Sequence, residues 1–229
     1  MAERQPNAQY NVAAAGSLPV RVAAYMRRKM YERFLEAFPP AEVASILDVG
    51  ATSEASYEAS NYLEAWYPHR ERIVAVGIDD LSGLPALFPG VRAVQADGLR
   101  LPFPDRSFDV VHSSAVIEHV GSAERQRAFL AELFRVARRG VFVTTPNRWF
   151  PIEFHTVLPM VHWLPPRCFR SLLLRTDRAF FSLEEHLNLM DSSSLLQAAR
   201  GLGSGELLRF RLLGWTSNLG LVLRGASRS

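Results

Sequence analysis

The chain has 229 residues, 48% of them apolar, and a net charge of +3 carried almost wholly by arginine, since Lys29 is the sole lysine; this suits one large domain with a sizeable core. A single cysteine, Cys168, excludes an intrachain disulfide and a cysteine-based metal cage, and so modest a charge does not by itself imply a nucleic-acid partner. No apolar run approaches the ~18 residues of a membrane span, and the N-terminus lacks the charged-then-apolar order of a secretory signal, so a soluble, cytoplasmic protein is expected.

Residues 1 to 20 are rich in Ala, Asn, Gln and Gly without sustained periodicity and read as a flexible arm; residues 21 to 229 read as one domain. A helix is expected from Arg21 to Phe38, ended by Pro39 and Pro40. "ASILDVG" (44 to 50) is a short buried strand, and "RIVAVGID" (72 to 79), "VRAVQAD" (91 to 97), "FDVVHSS" (108 to 114) and "GVFVTT" (140 to 145) repeat its character. Helical segments lie between them, the clearest from Ala123 to Arg138, where Phe129, Leu130, Leu133 and Phe134 recur at helical spacing. After Pro146 the pattern breaks into an irregular aromatic stretch, and residues 146 to 190 read as a substrate-side cover. Helices near 166 to 175 and 192 to 200 follow. The last apolar runs, "LLRFRLLG" and "NLGLVLRG", are close enough to pair as an antiparallel hairpin. Strand alternating with helix means a doubly wound, Rossmann-like α/β sheet, mostly parallel.

Such a sheet binds ligands beyond the carboxyl ends of its strands. Those ends are polar here: Asp48 and Gly50, then Asp79, then Asp97 and Gly98, then Ser113 and Ser114, then Thr145, Pro146 and Asn147. A carboxylate ending the second strand can accept two hydrogen bonds from a ribose diol, which suits Asp79. A carboxylate ending the third can accept from an adenine amine while an adjacent glycine admits the ring, which suits Asp97 and Gly98. Asp48 can either contact the ligand or shape the turn.

The stretch "VQADGLRLPFPDRSFDVVHSSAVIEHV" resembles the class I S-adenosylmethionine-dependent methyltransferases, in the branch where an acidic dipeptide, an LPF-type turn and an SFDVV strand follow one another. The resemblance runs from Ser45 to Asn147, and the terminal hairpin extends it, because that family adds an antiparallel seventh strand beside the sixth. It implies a seven-stranded sheet, S-adenosylmethionine as cofactor, and Asp48, Gly50, Thr52, Asp79, Asp97, Gly98 and Ser113 around it. The glycine loop departs from the family: Thr52 stands where a second glycine is usual, and extra chain separates Gly50 from Asp79.

On the acceptor side, His119 follows the fourth strand and His155 the fifth; either is a candidate general base, because imidazole titrates near neutrality. The histidines at 69, 112, 119, 155, 162 and 186 show no close ligand spacing, so no metal is expected. The expected function is methyl transfer to a small-molecule or lipid-like acceptor. The alternative is a non-catalytic cofactor- or partner-binding protein of the same fold, motivated by the altered "GATSE" loop. Peripheral membrane contact is compatible with the arginines beside Leu172 to Leu174. A nucleic-acid substrate is not expected, because the fourth strand ends in "HSSA" rather than an Asn/Asp-Pro-Pro-aromatic turn.

Overall fold

Runs of four to seven aliphatic residues, too short for amphipathic helices and apolar on both sides, pair into the interior of a sheet. The computed structural model describes residues 17–53 and 60–225. Its strands are β1 (Ile46–Val49), β2 (Ile73–Gly77), β3 (Arg92–Gln95), β4 (Phe108–Ser114), β5 (Ala137–Pro146), β6 (Ser204–Leu212) and β7 (Trp215–Arg224). They form one seven-stranded sheet in the order β3-β2-β1-β4-β5-β7-β6. The first five are parallel, and β7 lies antiparallel between β5 and β6. The terminal hairpin is therefore inserted by its second strand.

Side-chain alternation divides the core into two layers. Leu47, Val49, Val111, Val141 and Val143 pack with α4 (Ala123–Val136) and α6 (Ser192–Ala198) on one face. Ile46, Ala75, Val110 and Phe142 pack with α1 (Leu18–Ala37) and α2 (Tyr62–Trp66) on the other. Two short helices remain: α3 (Leu84–Leu87), whose Leu84 joins the second layer, and α5 (Pro166–Leu173) beyond β5. On α4, Phe129, Leu130, Leu133 and Val136 are wholly buried, as their three- and four-residue spacing requires.

Several boundaries differ from the sequence reading. α1 begins at Leu18, so the last residues of the expected arm are helical, with Pro19 fitting the first turn where an amide proton has no partner to lose; residues 1 to 16 lie outside the described residues. α4 stops at Val136 and β5 starts at the next residue, because Ala137 turns to extended backbone (φ −84°, ψ 137°) without a connecting loop. The aromatic stretch after Pro146 is tied down by bridges Asn147 to Met190 and Ile152 to Pro159. Beyond it, Phe169, Leu173, Phe181 and Leu187 form a small satellite core. Among the described residues no helix is long and apolar enough to cross a membrane.

Candidate active site

β1 has β2 on one side and β4 on the other, so the crossovers leave β1 in opposite directions and a crevice opens at that switch point. A cavity of about 910 Å³ lies there. Gly50 turns the chain off β1 at φ +114°, and a Cβ on it would come within 2.1 Å of Val116 Cγ2, so this position requires glycine. The Gly50 and Ala51 amides both donate to Val76 O. The absent second glycine is replaced by a clamp: Asn61 Nδ2 donates to Thr52 O (2.7 Å) and the Thr52 amide to Asn61 Oδ1 (3.0 Å). Gly77, which the sequence reading passed over, is equally constrained, since a Cβ there would meet Ala51 O at 2.4 Å.

Thr52, Asp79, Asp97 and Gly98 line the same cavity. Asp79 is half-buried and Asp97 exposed. Asp97 Oδ1 accepts the Leu99 amide (2.9 Å), which fixes the turn and leaves the second oxygen outside that bond. A Cβ on Gly98 would strike the Phe129 ring at 2.6 Å, so the floor beside Asp97 stays flat.

Two expected site residues do not line the cavity. Asp48 shares the parity of Ile46 and faces α1 and α2. It is the cross-strand neighbour of His112 and accepts from its Nδ1 at 2.5 Å, while Tyr62 Oη lies 2.8 Å from His112 Nε2. Burial pushes Asp48 up to about 6 and His112 down to about 4, and burial beside Asp48 holds Glu64 well above the ordinary carboxyl range. Ser113 is wholly buried, and its Oγ donates to Val49 O (2.7 Å) just beyond the point where the β1–β4 ladder ends. Both residues hold strand ends in place from behind.

At the other end of the cavity stand His119 and His155, with the buried Glu118 beside them. His119 comes from a 3-10 turn after β4 (Ile117–His119). Its Nδ1 donates to His186 O (2.6 Å), and its Nε2 meets His155 Nε2 at 3.0 Å. His155 Nδ1 donates to Glu153 Oε1 (2.7 Å). Burial alone would raise Glu153, but the His155 charge and the bonds from His155 and the Thr156 amide override it and hold it down to about 2. Burial opposes charge on His155 as well, yet the Glu153 carboxylate raises it, while burial and the neighbouring His155 press His119 down to about 3. Glu118 Oε2 accepts from Thr145 Oγ1 (2.9 Å). Arg27, from α1, also lines the cavity and was not singled out in the sequence, where one arginine among a basic helix carries no local signal.

A methyltransferase-domain family model matches residues 59–144. A protein of Mycobacterium tuberculosis described as a "probable S-adenosylmethionine-dependent methyltransferase" is 37% identical over 81 residues, covering 34% of this chain and 28% of that protein. This chain thus matches under a third of that relative's length. Among solved structures, the N-methyltransferase NodS of Bradyrhizobium japonicum bound to S-adenosylhomocysteine has a TM-score of 0.58 at 10% identity, over 88% of each chain. The magnesium protoporphyrin IX methyltransferase of Synechocystis, also with S-adenosylhomocysteine, has a TM-score of 0.58 at 14% identity, over 94% of this chain and 91% of that one. These likenesses show a shared fold. Residues 59–144, from α2 into β5, thus match a methyltransferase domain, and the solved methyltransferase structures share the fold of this chain.

Proposed function

We propose that the protein is a cytoplasmic enzyme that transfers the methyl group of S-adenosylmethionine to a small-molecule or lipid-like acceptor. The observation that carries this is a single cavity with chemically different ends: the Gly50 turn, Asp79, Asp97 and Gly98 at one, His119 and His155 at the other. The residues fit the cofactor, because the flat floor at Gly98 and the turn at Gly50 are positions a Cβ would fill. Asp79 would hold the ribose diol, Asp97 the adenine amine and Thr52 the loop edge, and the Arg27 guanidinium would meet the amino-acid carboxylate. Asp48 and Ser113 would act on the site only by fixing β1 against β4. Bound there, the cofactor supplies a methyl group on a positively charged sulfur, which an acceptor's lone pair takes as the carbon–sulfur electron pair returns to sulfur.

The chain's own task is to align the acceptor and exclude water. His119 and His155 line the cavity with their Nε2 atoms 3.0 Å apart, so a hydroxyl acceptor would be activated beside this pair, whereas an amine that enters neutral needs no base. Exposed Trp149, Ile152, Met160 and Leu164 on the stretch that carries His155 favour an apolar acceptor or one presented at a lipid surface. Calorimetry with S-adenosylmethionine and S-adenosylhomocysteine tests the donor half; binding of neither would overturn the reading. Incubation with labelled donor and fractionated cell extract then reports whether label enters metabolites or lipids, as expected, or nucleic acid.

A further inference from the structure

The histidine pair poses a hydrogen-bonding problem. His119 Nδ1 faces a carbonyl, His186 O, which can only accept. His155 Nδ1 faces a Glu153 oxygen that also accepts the His155 amide, while the other Glu153 oxygen accepts the Thr156 amide. Each ring therefore places its proton on Nδ1, and a neutral imidazole then carries a lone pair on Nε2. The two Nε2 atoms lie 3.0 Å apart. Two lone pairs at that distance repel unless a cation lies against both.

The third member decides which cation. Glu118 Oε1 is buried without a hydrogen-bond partner among the described residues and lies 3.9 Å from His119 Nε2. A proton shared between the rings would satisfy the nitrogens and still leave this carboxylate oxygen stranded. The ligand atoms of Glu118, His119 and His155 lie within 4.8 Å of one another. We infer that Glu118, His119 and His155 form a binding site for a divalent first-row transition metal ion, with coordination positions open to the cavity. The groups that orient these ligands are already in place: the carbonyl of His186 and the carboxylate of Glu153 hold the two rings, and Thr145 Oγ1 holds the Glu118 carboxylate. With metal–nitrogen bonds of about 2.0–2.1 Å, nitrogens at this separation subtend roughly 95°, which suits five or six ligands and leaves one side vacant for an oxygen donor. Against one guanidinium, Arg27, the carboxylates of Glu118 and Glu153 balance the charge of the ion. The expectation of no metal rested on spacing along the chain, whereas this inference rests on His119 and His155, 36 positions apart, meeting in space.

What the ion would do rests on the methyl-transfer reading: it would take an oxygen of the acceptor, and ligation would acidify a hydroxyl there, its proton leaving to water in the cavity. Binding itself stands apart from that reading and is tested without turnover. Titration of the metal-free wild-type protein with Co²⁺ should give visible ligand-field bands saturating at one equivalent. His119→Ala and His155→Ala, with folding checked by circular dichroism, should abolish them, and Glu153→Gln should weaken binding by about 10- to 100-fold through loss of ring orientation. Should the variants not fold, proton NMR of wild-type protein with Co²⁺ decides: two strongly shifted, exchangeable imidazole N–H signals are expected. Absence of bands, bands that persist in both folded alanine variants, or no such signals would overturn the site. Calorimetry with S-adenosylmethionine on the same sample separates the readings, since donor binding without Co²⁺ binding removes only the metal.

Discussion

Asp79 and Asp48 are both strand-end aspartates in the sequence, and one parity step assigns them to different work. Asp79 projects into the crevice from the loop after β2, so Asp79→Ala should weaken S-adenosylmethionine binding by about 10- to 100-fold, through loss of a charged acceptor. Asp97→Ala should cost about 5-fold, because an adenine amine finds water in its place. Calorimetry ranks the pair; a larger loss at Asp97 would reverse the assignment. Asp48 instead governs acid stability. Its carboxyl, raised to about 6 by burial, contributes stability present below its unfolded pKa and lost as pH rises through 6. His112, lowered to about 4 by burial, contributes stability present above its unfolded pKa and lost as pH falls through 4. Between pH 6.5 and 4 the two oppose each other. Asp48→Asn removes one side, so its melting temperature should fall over that window more steeply than that of the wild type. Parallel curves would show that the Asp48 carboxyl is not raised in the folded protein.

At the scale of elements, α4 ties the sheet to the cavity. Its Phe129 ring forms the floor against Gly98, while Leu130 and Leu133, both wholly buried, anchor the helix to the strands. Leu133→Ala should destabilise the fold by about 2–5 kcal/mol, the range for a buried leucine whose cavity does not fully collapse. Chemical denaturation measures this, and a loss under 1 kcal/mol would mean that α4 relaxes onto the sheet. The register of α4 was legible in the sequence from its apolar spacing. Its end was not, because nothing in "RVARRG" announces a helix that passes into a strand without a loop.

For the whole molecule, the cavity joins two groups of residues with separate supports. The Gly50 turn, Asp79 and Asp97 stand on β1 to β3, whereas His155 belongs to the segment following β5, held by Glu153. His155→Ala should therefore lower methyl transfer to a hydroxyl acceptor by roughly 100-fold or more while donor affinity stays within about 2-fold. Label transfer and calorimetry on one preparation check both halves. An equal loss in donor affinity would mean that the two ends of the cavity are not independent.

The sequence by itself determined the alternation of strands and helices, the parallel sheet with its terminal hairpin, and the strand-end carboxylates. These follow from local periodicity and from the rule that such sheets bind ligands at strand ends. It did not determine which strand-end side chains face the crevice: Asp48 and Ser113 differ from their neighbours only by the parity of a strand whose register with β4 is a long-range fact. Nor did it show the Asn61 clamp that stands in for a glycine, or the meeting of Glu118, His119 and His155. Those depend on how loops from separate strands converge over the sheet, and only tertiary packing brings residues so far apart in the chain to within a hydrogen bond of each other.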